Sequence, residues 1–147
     1  MRRVILLVFG VLALWSAPAS LSAQEWRPPT LDMPVMPQMA DLSGNWLDPR
    51  APWFDGLSGV SGVEARELGA VGEPRPGSSQ AQVVRFSSGV LPVVVWSDRN
   101  GDTRADIVEI YKTGNLIIQV IDADYDGRAN VLRVYDAAGT LLREDRL

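Results

Sequence analysis

Cysteine and histidine are both missing from the 147 residues of the chain. Without cysteine the fold has no disulfide to stabilise it, and without either residue it offers no thiolate or imidazole to zinc. The missing histidine also removes the commonest general base, and no nucleophile elbow occurs in the sequence. We therefore predict a protein that is not an enzyme. A hydrolase that uses carboxylates is the alternative, but the aspartates are clustered like ion ligands rather than set apart as an acid/base pair.

Apolar runs long enough to span a bilayer are also missing. The one apolar run, Val4 to Trp15, follows Arg2 and Arg3 and precedes a stretch of small residues, which is typical of a secretory signal. We predict that residues 1–23 are a cleaved signal peptide, with the cut after Ala19 or Ala23. The protein is then exported to the periplasm or the extracellular space, with no stable membrane anchor after cleavage.

Positive charge is scarce in the remaining chain. Without Arg2 and Arg3 it has 12 basic and 18 acidic residues, a net charge of −6. Nucleic acid is therefore excluded as a partner, because phosphate binding requires concentrated positive charge. The length suits one small domain, for which a bound metal is the remaining stabilising device when disulfides are missing.

Residues 24–80 are rich in proline and glycine, and we predict an irregular segment there. Within it Met33, Met36 and Met39 alternate with prolines at a spacing of three, which favours polyproline II with the thioethers along one edge. Two interpretations stay open. The thioethers could hold Cu(I), or the segment could be an extended tether whose methionines dock on apolar surface.

Two aromatic clusters follow in the same segment. Gly44-Asn45-Trp46 resembles the start of lipocalin-like barrels, which implies a carrier of small ligands as an alternative function. The other interpretation is that Trp46, Trp53 and Phe54 pin an irregular segment to a sheet. Between residues 58 and 68 we expect at most one short helical turn, at 63–68.

Residues 81–147 alternate in the manner of strands and predict three β-hairpins, hence a mainly β protein with an antiparallel meander of about six strands. Pro92 places the first hairpin at an edge or gives it a bulge. In the second hairpin Ile110 faces Ile118, and in the third Val134 faces Leu142. The predicted core face comprises Val108, Ile110, Ile118, Val120, Leu132, Val134 and Leu142.

Two aspartate-rich loops of nine residues, 98–106 and 122–130, superimpose at a period of 24 residues and join the predicted hairpins. Oxygen atoms at positions 1, 3, 5 and 9, with the main-chain carbonyl at position 7, suit a hard cation such as Ca²⁺. Asp, Asn and Gly also form ordinary turns, but two clusters in one register favour an ion. The predicted ligands are Asp98, Asn100, Asp102, Asp106, Asp122, Asp124, Asp126 and Asn130, with the carbonyls of Arg104 and Arg128.

These loops resemble the calcium loops of dockerins, thrombospondin type 3 repeats, FG-GAP repeats and EF-hands. The second loop keeps glycine at position 6, Gly127, whereas the first has Thr103 there and Gly101 at position 4. The segment 82–147 is also similar to short hairpin repeats of secreted bacterial proteins. The resemblance implies a calcium-binding protein with a structural or protein-interaction role, whose edge strands could pair with another protein.

Overall fold

The computed structural model describes residues 22–42 and 52–147, so the apolar run of the predicted signal and Gly44-Asn45-Trp46 lie outside the described residues. These two ranges contain seven strands: β1 (Gly69–Pro74), β2 (Ala81–Ser88), β3 (Leu91–Ser97), β4 (Ile107–Lys112), β5 (Asn115–Ile121), β6 (Val131–Tyr135) and β7 (Leu141–Arg146). One short helix, α1 (Leu57–Ser61), and 3₁₀ turns at Met39–Leu42, Pro52–Phe54 and Ala65–Glu67 precede them. The helical content thus begins earlier than the single turn expected at 63–68.

The strands form one open antiparallel sheet in the order β1 to β7, so the predicted mainly β meander is confirmed. It has seven strands rather than six, because β1 lies inside the segment predicted to be irregular. The sequence of β1 has no alternating pattern, and its pairing with β2 depends on tertiary contacts. At Gly72 a Cβ would lie 2.3 Å from Leu42 Cδ1 and 2.9 Å from Met39 Sδ, so any larger residue would displace the side chains through which the 3₁₀ turn packs on this strand.

Short hairpin turns alternate with longer loops along the meander. The pairs Val108 with Val120 and Ile110 with Ile118 confirm the predicted register of the second hairpin. In the first hairpin the register shifts at Val93, next to Pro92, so the bulge expected there is present. The longer loops connect β1 to β2, β3 to β4 and β5 to β6, and all three lie at the same end of the sheet.

The predicted register of the third hairpin is wrong by one residue in its stem. Val134 pairs with Arg143 rather than Leu142, since the register shifts between Val134 and Tyr135. Leu142 occupies this bulge and is 46% exposed, so it does not belong to the core. The other six predicted core residues are buried.

The core lies between one face of the sheet and the segments that precede the sheet. Phe54 packs at 5.2 Å from Phe86 and at 5.7 Å from Trp96, as measured between ring centroids. The Nε1–H of Trp53 donates to the carbonyl of Asp32 at 2.9 Å. Trp53 and Phe54 therefore pin the preceding segment to the sheet, as one of the two interpretations predicted.

Residues 31–39, here called the Met strap, cross the end of the sheet where the three longer loops lie. Met33 and Met36 are 1% and 2% exposed and belong to the hydrophobic core, against which the partly buried Met39 packs. The thioethers therefore dock on apolar surface, in agreement with the tether interpretation.

The strap makes the same pair of main-chain hydrogen bonds with each loop. The N–H groups of Met33, Met36 and Met39 donate to the carbonyls of Gly127, Thr103 and Ser79 at 2.8–2.9 Å. In return Ala129, Ala105 and Ala81 donate to Leu31, Pro34 and Pro37 at 2.7–3.0 Å. Pro34 and Pro37 only accept, so their missing N–H groups leave no bond unmade.

The match follows from two standard spacings. Three residues of polyproline II advance about 9.3 Å, and two strand spacings, the separation of successive longer loops, amount to about 9.4–9.8 Å. One turn of the strap therefore reaches from one loop to the next. The loop residues that it meets, Gln80, Arg104 and Arg128, are 24 positions apart, so the 24-residue period has three members.

Candidate metal centres

The first nine-residue loop, 98–106, is built around the carboxylate of Asp98 at the end of β3. This side chain is buried, and its two oxygens accept the N–H groups of Gly101 at 2.7 Å and Thr103 at 3.1 Å. Asp102 accepts the N–H of Arg104 at 2.8 Å. The loop therefore curls around its first and fifth positions, with the carboxylates on the inside of the turn.

The second loop, 122–130, repeats this arrangement at the end of β5. Asp122 is buried and accepts the N–H groups of Gly127 at 2.7 Å and Asp126 at 3.3 Å. Asp126 accepts the N–H of Arg128 at 2.8 Å. The bonds donated by the N–H groups of positions 6 and 7 are equivalent in the two loops, so the 24-residue sequence period is also a period of structure.

Each loop brings three carboxylates together. Oxygen atoms of Asp98, Asp102 and Asp106 lie within 4.8 Å of one another, and so do those of Asp122, Asp124 and Asp126. Two oxygens that bind one calcium-sized ion at about 2.4 Å can be no more than about 4.8 Å apart. Both triads could therefore hold a metal ion.

The two triads differ only where the sequence has asparagine. Position 3 is Asn100 in the first loop, and position 9 is Asn130 in the second. Asn100 Nδ2 donates to Asp102 at 3.0 Å, and Asn130 Nδ2 donates to Asp124 at 2.9 Å. Both predicted amide ligands thus lie against the carboxylates of their own loop.

The unequal positions of glycine in the two loops do not alter the backbone. Positions 4 and 6 have positive φ in both loops: Gly101 (81°) and Thr103 (78°) in the first, Tyr125 (62°) and Gly127 (85°) in the second. Each loop thus has one glycine and one residue that pays a steric cost in the left-handed region. The departure of the first loop from the calcium-loop pattern changes which position is strained and leaves the path of the chain unchanged.

Asp106 at position 9 of the first loop has an unmet hydrogen-bonding requirement. Its Oδ2 accepts the N–H groups of Arg99 and Asn100, whereas Oδ1 is buried and has no hydrogen-bond partner among the described residues. In the second loop Asn130 Oδ1 accepts the equivalent N–H, that of Ala123, at 2.9 Å. A buried carboxylate oxygen without a partner is costly, and a cation in the adjacent triad would supply the partner.

Burial also affects the acidity of the second loop. Desolvation raises the pKa of Asp122 above its usual value, and the hydrogen bond from the N–H of Gly127 partly opposes this rise. The protein environment alone therefore disfavours the ionised form of Asp122. A bound cation would favour that form.

The arginines at position 7 were predicted only as carbonyl ligands, but their side chains also have a structural role. Arg104 Nη1 donates to the carbonyl of Met33 at 2.9 Å, and Arg128 lies 3.5 Å from the carboxylate of Asp32. Arg104 lies opposite Val35 where the strap pairs with the loop. The main-chain hydrogen bonds of this pairing are made by Thr103 and Ala105, on either side of Arg104. The strap therefore does not occupy the main-chain carbonyl of Arg104.

The third member of the repeat, residues 74–82, was missed because it has lost its acidic residues. Pro74, Pro76, Ser78 and Gln82 stand at the positions of the carboxylates and amides. Its Arg75 still supports the next loop, since Nη2 donates to the carbonyl of Asp98 at 2.9 Å and lies 3.4 Å from its carboxylate. The shared path of the chain past the strap identifies this loop as the third member of the repeat.

Comparisons of the chain with protein-family models, with curated proteins and with solved structures found no match. Within the described residues no helix has both the length and the apolar character required to cross a bilayer.

Proposed function

We propose that this chain is an exported, non-enzymatic calcium-binding β-repeat protein. Loops 98–106 and 122–130 each hold one Ca²⁺, and the sheet that they brace has a structural or protein-interaction role. The observation that carries the proposal is the recurrence, 24 residues apart, of a carboxylate triad of the size that a calcium ion spans.

Two further features support an ion in these loops. Asp98, Asp106 and Asp122 are each at most 2% exposed, and among the described residues only Asp98 has a guanidinium nearby, that of Arg75. The buried charge that remains is unfavourable without a cation. The donor set consists of oxygen atoms alone, which favours calcium or magnesium over zinc and copper. Calcium accepts six to eight ligands in flexible geometry, and a loop with carboxylates, amides and carbonyls suits it better than the strict octahedron of magnesium.

Export is supported by the signal-like residues 1–23, and the extracellular space is rich in calcium compared with the cytoplasm. An interaction role is supported by the open edges at β1 and β7, where main-chain groups can pair with another strand. The alternative of a Cu(I) carrier loses its support, since Met33 and Met36 are buried in the core.

The proposal is tested by isothermal titration of calcium and of magnesium into residues 24–147. We expect two calcium ions per chain and weaker binding of magnesium. A hundredfold excess of calcium over its dissociation constant should stabilise the fold by about 2.7 kcal/mol per site. Thermal unfolding curves that coincide in calcium and in a chelator would contradict the proposal.

Double substitution separates the two sites. Asp124→Ala with Asp126→Ala should reduce the stoichiometry from two to one. The matched control is Asp136→Ala, which removes a carboxylate from a turn outside both loops, where Asp136 accepts the N–H groups of Ala138 and Thr140. This control should leave the stoichiometry at two.

A further inference from the structure

A cleft of about 370 Å³ lies on the outward face of the sheet, between the two acidic loops. Ile107, Ile121 and Val131 form its floor. They are paired across β4, β5 and β6, one residue away from the core-facing positions, so they point to the opposite face. Its size falls within the range of small-ligand sites, and its apolar floor is typical of them.

Three arginines surround this floor. Arg99 belongs to the first acidic loop, and Arg133 and Arg146 belong to β6 and β7. Arg133 Nε pairs with Glu144 at 2.7 Å. Within the part of the chain that the structure describes, neither Arg99 nor Arg146 lies within 4 Å of a carboxylate oxygen. Two guanidinium groups therefore remain available to an anionic ligand.

Bound calcium would change the charge balance of the cleft. Asp106 and Asp122, one from each acidic loop, also line it. With the other four carboxylates of the two triads and Glu144, they leave this region at a summed charge of −4 even after the three arginines are counted. A divalent cation in each loop would bring this sum to zero, so the acidic loops would no longer repel an anion from the arginines. The cleft then attracts a carboxylate, which a guanidinium can bind through two parallel hydrogen bonds.

Tyr125 adds an aromatic surface at the rim of the cleft. It stands at position 4 of its loop, where the first loop has Gly101, and it adopts φ 62° while its side chain remains 48% exposed. With about half of its surface exposed, Tyr125 gains only part of the burial energy that could offset its strain, and strained residues of this kind concentrate at binding sites. A pyranose ring is a chair with an apolar C–H face, and that face would contact the phenol and the apolar floor together.

We infer that this cleft binds an acidic sugar: the carboxylate pairs with Arg99 and Arg146, and the sugar ring packs on Tyr125 and Ile121. The inference rests on the proposed function, because it requires cations in both loops to compensate Asp106 and Asp122.

The test is a titration of trigalacturonate, a sugar trimer with one carboxylate per ring, into residues 24–147 with saturating calcium. A blank titration into the same calcium buffer corrects for calcium that the sugar itself binds. Maltotriose, of the same length without carboxylates, is the matched ligand. We expect binding of the acidic trimer, at least tenfold weaker binding of the neutral trimer, and loss of binding in a chelator.

Variants locate the site. Arg99→Gln with Arg146→Gln should weaken trigalacturonate binding at least tenfold, and so should Tyr125→Gly. Arg66→Gln with Lys112→Gln removes an equal charge from two exposed sites outside the cleft and should have no effect. Absence of binding, equal binding of both trimers, binding that persists in the chelator, or insensitivity to these variants would each overturn the inference.

A calcium titration of the same samples keeps the two hypotheses apart. If two calcium ions bind to wild type and variants but trigalacturonate does not bind, only the acidic-sugar inference fails. If calcium itself does not bind, the proposed function fails and the inference fails with it.

Discussion

The main-chain N–H of Asp122 donates to the carbonyl of Asp106 at 2.8 Å, so the last position of the first acidic loop is bonded to the first position of the second. The N–H of Asp98 makes the same bond, at 2.9 Å, to the carbonyl of Gln82 in the preceding member of the repeat. Residues at positions 1 and 9 are also those whose side chains close each loop. The two acidic loops are therefore neighbours in a continuous ladder rather than separate turns.

Substitution of Asp106 by asparagine should have effects of opposite sign with and without calcium. The amide keeps an oxygen for the N–H groups of Arg99 and Asn100, as Asn130 does in the second loop, and it removes an unpartnered buried charge. Without calcium we expect the variant to gain about 1 kcal/mol of stability. With calcium it should lose at least tenfold in affinity at the first site.

Chemical denaturation of this variant in calcium and in a chelator measures both effects. Asn130→Asp is the reciprocal change and should destabilise the calcium-free protein. Equal destabilisation of the Asp106 variant in the two conditions would show that its carboxylate has no connection with a cation.

Glycine at position 103 should stabilise the protein. Thr103 has φ 78°, which costs about 1–2 kcal/mol of backbone strain that glycine would relieve. The greater flexibility of glycine in the unfolded chain offsets about 0.5–1 kcal/mol of this relief. We expect a net increase of about 0.5–1 kcal/mol in the free energy of unfolding. The control is Thr140→Gly, because Thr140 does not have a positive φ and its replacement should destabilise the protein. A loss of stability in both variants would refute the strain argument.

Truncation of Met36 should destabilise the fold by about 2–5 kcal/mol, because its side chain is buried in the core against the sheet. Val35 is the matched control: it precedes Met36 in the strap but is 58% exposed, so Val35→Ala should change stability by less than about 0.5 kcal/mol. Urea denaturation compares the two. Similar small effects would mean that the strap does not dock through its methionines.

Tyr111 should titrate later than an ordinary tyrosine. Burial, followed by the charge of Glu109 and the hydrogen bond to it, raises the pKa of Tyr111 to about 12. Because the fold favours the neutral phenol, this contribution to stability is fully present below about pH 10 and is lost as the pH rises toward 12.

The absorbance of tyrosinate, compared between wild type and Tyr111→Phe, isolates this titration. Glu109→Gln should lower the pKa only part of the way, since burial is the larger cause. Glu144→Gln, on another strand, should leave it unchanged. A midpoint near pH 10 in wild type would contradict the prediction.

The contrast between the second and third hairpins shows what sequence alternation can predict. In the second hairpin only one register places the apolar residues of β4 opposite those of β5, so Ile110 faces Ile118 as expected. In β7 the run Arg143 to Arg146 is entirely polar, so Leu142 alone can indicate a register, and in the structure it occupies the bulge while Val134 pairs with Arg143. The prediction fails where a single apolar residue has to set the register.

The acidic loops and the strap show a second limit. Clustered carboxylates made loops 98–106 and 122–130 visible, and the spacing of the methionines predicted one buried edge. Loop 74–82 and strand β1 have no comparable signal, because the loop has no carboxylate and the strand, with Glu73 as its one acidic residue, has no alternation. Their placement depends on contacts with Met39 and Leu42 across the chain, which no local pattern encodes.

The correspondence between strap and loops constrains how this architecture can change in length. The strap consists of three triplets, Leu-Asp-Met, Pro-Val-Met and Pro-Gln-Met. The first triplet contacts the last of the three loops in the chain, and the last triplet contacts the first loop. Duplication of one hairpin with its loop would leave a new loop without its two main-chain partners unless a triplet were duplicated as well. Growth by 24 residues in the sheet and by three residues in the strap is thus a single structural event, and homologues with more hairpins should have proportionally longer methionine-spaced segments.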